Sequence, residues 1–455
     1  MTKRILALVL AALMIGAMAL AEITGPLFEA DDISDSGTEK SGAFVYRNSD
    51  WKEGLVDFEG NVLAEAQFGD LAYADFGYYT ATNESGFNHS ALVNTAGEAL
   101  TPYEYSDFKV VSPNWAVGVV LEGTNDKDAS DYTVVFGEYD YAVIVRNDVF
   151  YLPEKKLVGT LERAQLNRAS ASATLENWLL VEDRAGVLTA YDTEMNAVTP
   201  LMSSSYDPEL IVKSDNELSP KALYSAVTGE KLSDKAYESL SKLDGGYTSF
   251  YDRDSRLYGI LNNRGEEVCP PTFGIIYSTL LDGHYFRVAN TDENNKSLSG
   301  LYDLETGALT IPCAYDNFYM YGSKHVINNG YICVEQDGKL GYIDTEGNVT
   351  CPIQYNRDSV DYFGCTLGAT DMTGAVTIVA ADGTVTQLPD VTELATKNKL
   401  TQADGYYLVV KNAEGNYGVV DWHGNQVVDF VLDYSASVYD GDCLYTGSSI
   451  YKIER

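Results

Sequence analysis

The chain has 455 residues, 45 % of them hydrophobic, and a formal net charge of −36. That composition supports a packed core, and so negative a field excludes nucleic acid and anionic lipid surfaces as natural partners. Four histidines, at 89, 284, 325 and 423, fall into no H-x-x-x-H or H-x-E pair, so the zinc hydrolase and deaminase signatures are missing.

The first 21 residues have the layout of a secretory signal peptide. Lys3 and Arg4 form a positive start, Ile5 to Leu20 is apolar or small, and Ala19-Leu-Ala21 is an A-x-A site. Cleavage after Ala21 would remove two cations and leave the mature chain more acidic still. No cysteine follows the apolar stretch, and no later run approaches the ~18 apolar residues of a membrane span. The expected address is therefore secreted, extracellular or associated with the cell envelope, without membrane insertion.

Residues 22–42 are rich in Asp, Glu, Ser, Thr and Gly. They read as an acidic, flexible leader, with too little apolar area to fold. Structure is expected from Ala43 onward.

From there the chain repeats a phrase. Gly341-Tyr-Ile-Asp-Thr-Glu-Gly347 is one copy; others begin at Gly54, Gly259 and Gly418. Gly300 opens a copy with one extra residue, and Ala91 replaces the first Gly in another. Weaker copies begin near Val149, Thr189, Ala222 and Thr377. Ten anchors recur about every forty residues, a period that signals a repeat architecture. The region 43–455 thus holds about ten units, the most irregular at 126–251. The longest step carries extra material around Gly123 to Gly137.

Each unit reads as a small antiparallel meander. The apolar pair before the Asp is a strand, and the Asp or Asn opens a tight turn in which the second Gly takes positive φ. The return strand is expected to end at Pro102, Pro270, Pro312 or Pro352, because proline cannot donate to a ladder. A second hairpin leads to the next anchor. Three to four short strands per forty residues fit one propeller blade. The fold class expected is all-β and β-propeller-like, with an open array or two smaller propellers as alternatives. Helix signals are confined to Glu154–Trp178 and Asp234–Leu243.

The phrase resembles that of the WG-repeat family, found in bacterial proteins. Lys339-Leu-Gly341-Tyr-Ile-Asp344-Thr-Glu-Gly347 through Pro352 and Tyr355 matches its pattern, and so does Gly300 to Asp316. The residue before Gly departs from the namesake Trp, being Glu53, Tyr258, Ser299, Leu340 or Tyr417. The resemblance implies a β-rich repeat domain and transfers neither a catalytic residue nor a ligand.

Candidate chemistry is sparse. There is no G-x-S-x-G elbow and no phosphate loop. The recurring Asp57, Asp303, Asp344 and Asp421 read as turn initiators, since a catalytic acid is singular in its repeat. Asn125 to Asp131 alternates like a calcium loop but lacks the Gly and Glu such a loop needs. His423 reads as a solvated turn residue. The six cysteines, at 269, 313, 333, 351, 365 and 443, read as small buried hydrophobes, with Cys333 and Cys365 a pair only if their strands approach. The aromatic runs Phe76-Gly-Tyr-Tyr79 and Asn317 to Gly322 are expected to face the core at alternate positions.

The expected function is binding, of a protein or a glycan, with no catalytic, cofactor or metal residues assigned. A carbohydrate-active hydrolase on the same scaffold and a structural envelope protein are the alternatives. The interaction residues are expected outside the repeating positions.

Overall fold

A computed structural model describes residues 22–35, 37–124, 132–134, 141–162, 166, 168–171, 177–184, 187–197, 201–202, 210–213, 221–225, 230–233, 235–320, 326–395, 407–432, 437–439 and 442–454. The proposed signal peptide, the loop Asn125 to Asp131 and His325 lie outside these residues.

The protein is an all-β, propeller-like repeat. Its strands form small antiparallel sheets, most of them four-stranded meanders. Each of the ten anchors lies in a strand of a different sheet. The chain divides into two compact units: residues 1–30, 58–61 and 318–455 make one, and residues 31–57 and 62–317 the other. Among the described residues no helix is long and apolar enough to cross a membrane.

Within each unit the cores lie between neighbouring sheets. Val45, Leu55 and Phe68 of the Gly54 sheet meet Leu71, Tyr79 and Val93 of the Ala91 sheet. Val376, Ile378 and Leu388 meet Leu408, Val410 and Val420 of the Gly418 sheet. Buried hydroxyls tie the same layers together: Tyr342 Oη donates to Gly364 O at 3.1 Å, and Thr366 Oγ1 to Trp422 O at 3.1 Å.

The phrase has a common geometry. The residue before the anchor Gly pairs with one residue of the return strand, and the residue after it pairs with another four positions earlier. The pairs are Leu340↔Tyr355 and Tyr342↔Cys351, Tyr258↔Phe273 and Ile260↔Cys269, and Ser299↔Tyr315 and Leu301↔Ile311. The return strand therefore carries a bulge opposite the glycine, and Pro270, Pro312 and Pro352 sit in it, where no ladder donor is required. The strands run on through these prolines to the aromatic residue, as in Val349–Asn356, instead of ending at them.

The segment 22–42 is not a flexible leader. Glu22–Glu29 is a strand, the outermost of the last sheet, paired antiparallel with Ser449–Glu454. Asp32–Ser34 pairs with Ala43–Arg47, and Ile33 is buried. Composition undervalued this stretch because its few apolar residues close an existing sheet, where ladder bonds replace a core of its own.

The helices expected at Glu154–Trp178 and Asp234–Leu243 are replaced by strands at Lys156–Glu162 and Arg168–Ala171 and at Ser239–Lys242. Leu157 and Leu161 have helical spacing, but the β-branched Val158 and Thr160 favour extended backbone and Gly159 disfavours helix, and pairing with Arg146–Tyr151 fixes the strand. The extra material between Ala91 and Val149 lengthens a hairpin, Trp115–Thr124 against Tyr141–Tyr151, with Tyr132–Val134 added beside it. Asn88 braces this hairpin. Its side-chain amide donates to Leu121 O at 2.9 Å and accepts from Leu121 N at 3.0 Å, imitating a ladder residue.

All six cysteines are free thiols, five of them buried. Cys333 and Cys365 belong to one core cluster and form no disulfide.

Candidate recognition surface

The turn initiators behave alike. Asp344 Oδ1 accepts from Glu346 N at 3.0 Å and Asn348 N at 2.8 Å, and Asp421 Oδ1 accepts from His423 N and Asn425 N, both at 2.9 Å. Asn262 does the same with Arg264 and Glu266. These carboxylates and amides are occupied by the backbone they fold. Donation from Thr373 Oγ1 and from backbone N–H groups holds the Asp371 carboxyl below its ordinary range. At Asp344 partial burial works in the opposite sense, and the bonds from Asn348 outweigh it.

His423 differs from the expected solvated turn residue. Its Nε2 lies 2.9 Å from Asp382 Oδ2 of the preceding repeat's turn, and its ring centroid lies 3.8 Å from that of Trp422, with the planes tilted by 41°. Among the described residues no group of three or more His, Cys, Asp or Glu side chains is arranged to hold a metal ion.

The buried carboxylates among the described residues are Glu53, Asp148, Asp303 and Glu335. Each is held by donors. Asp148 accepts from Tyr105 Oη at 3.0 Å, Thr160 Oγ1 at 2.8 Å and Arg146 Nε at 3.1 Å. Glu335 accepts from Tyr319 Oη and Arg357 Nη1, each at 3.1 Å. Burial and then the Glu335 charge push the Tyr319 hydroxyl up to about 12. Asp303 takes the N–H of Glu305 and the hydroxyl of Thr306, both at 2.8 Å. Glu53 Oε2 accepts from Leu71 N at 2.6 Å, and its other oxygen binds Arg47 Nη2 at 2.5 Å.

What varies from sheet to sheet is the residue before each anchor and the cross-strand neighbour it meets. It is an ion pair at Arg47↔Glu53 and a hydroxyl pair at Thr82↔Ser90, 2.8 Å apart. It is an aromatic pair at Tyr251↔Tyr258, with centroids 5.1 Å apart. In the Gly300 sheet Ser299 takes a bond from Arg287 Nη2 at 2.9 Å. In the Gly418 sheet Lys411 stands 5.1 Å over the Tyr417 ring. The position where the resemblance expects Trp thus carries different chemistry from sheet to sheet.

Four hairpin tips share one five-residue turn. In Asn48–Lys52, Asp292–Lys296, Asp371–Ala375 and Asn412–Asn416, the fourth residue donates to the first carbonyl. That fourth residue has positive φ and is Asn295, Gly374 or Gly415 in three of them; in the first it is Trp51, φ 60. A left-handed backbone costs a non-glycine residue roughly 1–2 kcal/mol. Met195 has the same conformation in a phrase turn, but it is half-buried and packs on the Trp115 core. Trp51 is 75 % exposed. The guanidinium of Arg47 stands 5.7 Å over its ring, and Glu53 and Asp32 hold that guanidinium in place.

The sequence had assigned no binding residue. Trp51 was legible only by aligning the tips, where Asn48-Ser-Asp-Trp51-Lys52 falls against Asn412-Ala-Glu-Gly415-Asn416. The aromatic runs do not keep a strict alternation: Phe76 lies exposed in a turn before the buried Tyr79, and Phe318 is buried while Met320, two residues on, is exposed.

No protein-family model matches the chain, and no curated protein matches it. Among solved structures it aligns with one titled as the eukaryotic initiation factor, at 11 % identity and a TM-score of 0.36 over 71 % of this chain and 89 % of that one. It aligns with BamB from Moraxella catarrhalis at 12 % identity and a TM-score of 0.24, covering 63 % and 97 %. With the C-terminal WD40 domain of Sif2 the values are 15 %, 0.22, 64 % and 97 %.

Proposed function

We propose that this chain is a secreted or cell-surface binding protein of WG-like repeats, one that recognises a protein or a glycan and performs no catalysis. One observation supports this most: the phrase residues repeat while the pairs at the hairpin ends do not. Scaffold chemistry stays constant from sheet to sheet, while the hairpin ends differ: Glu53, Ser90 and Ser299 are buried there, and Thr82, Tyr251 with Tyr258, and Lys411 with Tyr417 present half-buried side chains. Repeat scaffolds use variable positions on constant frames for recognition. The buried carboxylates are engaged by hydrogen bonds within the fold, which favours a structural use for them over acid–base work.

The test presents the chain, residues 22–455, to a glycan array and to a phage-displayed random peptide library. The expected result is a ligand whose binding falls on Tyr258→Ala or Thr82→Ala. No bound glycan or peptide would sink the binding reading, and hydrolysis of an arrayed glycan would replace it with the enzymatic one.

A further inference from the structure

We propose that Trp51 is a preformed anchor that inserts into an apolar pocket of a protein partner whose rim is basic. The proposal rests on the binding reading above and names the partner chemistry for one hairpin tip.

Three observations meet at this residue. First, the turn Asn48–Lys52 has the same hydrogen bonds as tips that place Asn295, Gly374 and Gly415 at its left-handed position. Tryptophan is the costlier choice there, and at 75 % exposure it gains little burial in return. Second, a fixed cation stands beside the ring before any partner arrives. Arg47 covers one face of it and is itself locked by Glu53, which is only 5 % exposed and bound to Leu71 N. An aromatic side chain with only two rotatable bonds loses little freedom on binding, and Trp beside Arg is the composition of an interface hot spot. Third, the surroundings are acidic. Asp32, Asp50, Glu53 and Asp70 stand against Arg47 and Lys52, in a chain of net charge −36. Charge complementarity therefore selects a basic rim.

A sugar fits this tip less well. Stacking on tryptophan is accompanied by hydrogen bonds to sugar hydroxyls, and the nearby polar groups are engaged. Arg47 is tied to Glu53 and Asp32, and Asn48 Oδ1 already accepts from Asp50 N and Lys52 N, both at 3.0 Å. The ring also stands on a hairpin tip, a convex feature suited to a partner's pocket.

The experiment uses peptides selected on residues 22–455 from a phage-displayed dodecapeptide library, with hydroxyethylcellulose as the polysaccharide probe. Each is measured against the parent chain and the Trp51→Asn variant. Asparagine already fills this position in an equivalent tip, so the variant folds with an unchanged or higher Tm, and lost binding cannot be lost structure. Selected peptides are expected to pair apolar with basic residues, to weaken as salt is raised, and to lose at least about tenfold in affinity for Trp51→Asn. Equal affinity for both chains would overturn the anchor and leave the binding reading standing. Trp51-dependent binding of the polysaccharide alone would overturn the protein partner in favour of a sugar. Failure to select any peptide, with no polysaccharide bound, would overturn the anchor and the binding reading together.

Discussion

A side-chain carbon on Gly341 would stand 2.7 Å from the carbonyl oxygen of Cys351, inside the bulge that carries Pro352. The same closeness recurs at Gly54, whose added carbon would meet Ala64 O at 2.5 Å, and at Gly259, where it would meet Cys269 O at 2.6 Å. The anchor glycine is therefore a packing requirement of the bulge. Gly341→Ala should cost about 1–3 kcal/mol through forced backbone shifts. Denaturant unfolding checks this, with Gly338→Ala, where an added carbon has nothing within 4 Å but φ is 72, as the comparison that isolates conformational strain from crowding.

Acid should weaken the turns that begin with aspartate. Asp192, Asp292, Asp344, Asp371 and Asp382 are all held below the ordinary carboxylate range. A carboxyl depressed in the folded state adds stability that is present above its unfolded value near ~3.9 and is lost as pH falls through the folded value. Tm should thus fall below about pH 4. Asp344→Asn keeps the accepting Oδ1, as Asn262 and Asn412 do in their own turns, but loses the charge and the Oδ2 that accepts from Asn348 Nδ2 at 2.8 Å, so it should lower Tm slightly at neutral pH and flatten the acid fall. A Tm profile from neutral to acid pH is the check.

Removing residues 22–30 should uncover the edge of Ser449–Glu454. The lost ladder joins Glu22, Ile23 and Thr24 to Glu454, Ile453 and Lys452, and Phe28 and Glu29 to Ile450 and Ser449. Net hydrogen-bond contributions put the loss at roughly 2–4 kcal/mol, and an unpaired edge invites aggregation. Thermal melts with light scattering on the truncated chain report both effects.

The thiols should be silent in the folded chain. Burial raises the pKa of Cys269, Cys313, Cys333 and Cys351, and only Cys313 is not fully buried. A thiol-reactive dye should label the native protein slowly, at Cys313 first, and label all six cysteines after unfolding without reductant. Fewer than six would reveal disulfides.

The repeat was legible because its residues are fixed by local chemistry: the turn Asp, the positive-φ Gly and the bulge Pro each obey a rule of a few bonds. The strand Glu22–Glu29 was not, because its partner lies at the far end of the chain and its own composition is acidic. Lys156–Glu162 escaped for a similar reason, its register being set by Arg146–Tyr151 and not by its leucines. Trp51 stood in plain view, but its meaning depends on the backbone angle it adopts, which composition does not display. The Pro residues were placed correctly as non-donors, yet the bulge that lets a strand continue past them is a property of two strands together.

The proposed binding role divides the chain into constant phrase residues that build the sheets and hairpin-end residues that would meet a partner. The most direct measurement is the affinity of one selected peptide for Trp51→Asn and Asp344→Asn side by side. The expected result is a loss of about tenfold or more for Trp51→Asn and unchanged affinity for Asp344→Asn. Retained affinity in Trp51→Asn, or an equal loss in Asp344→Asn, would contradict the division between scaffold and recognition residues.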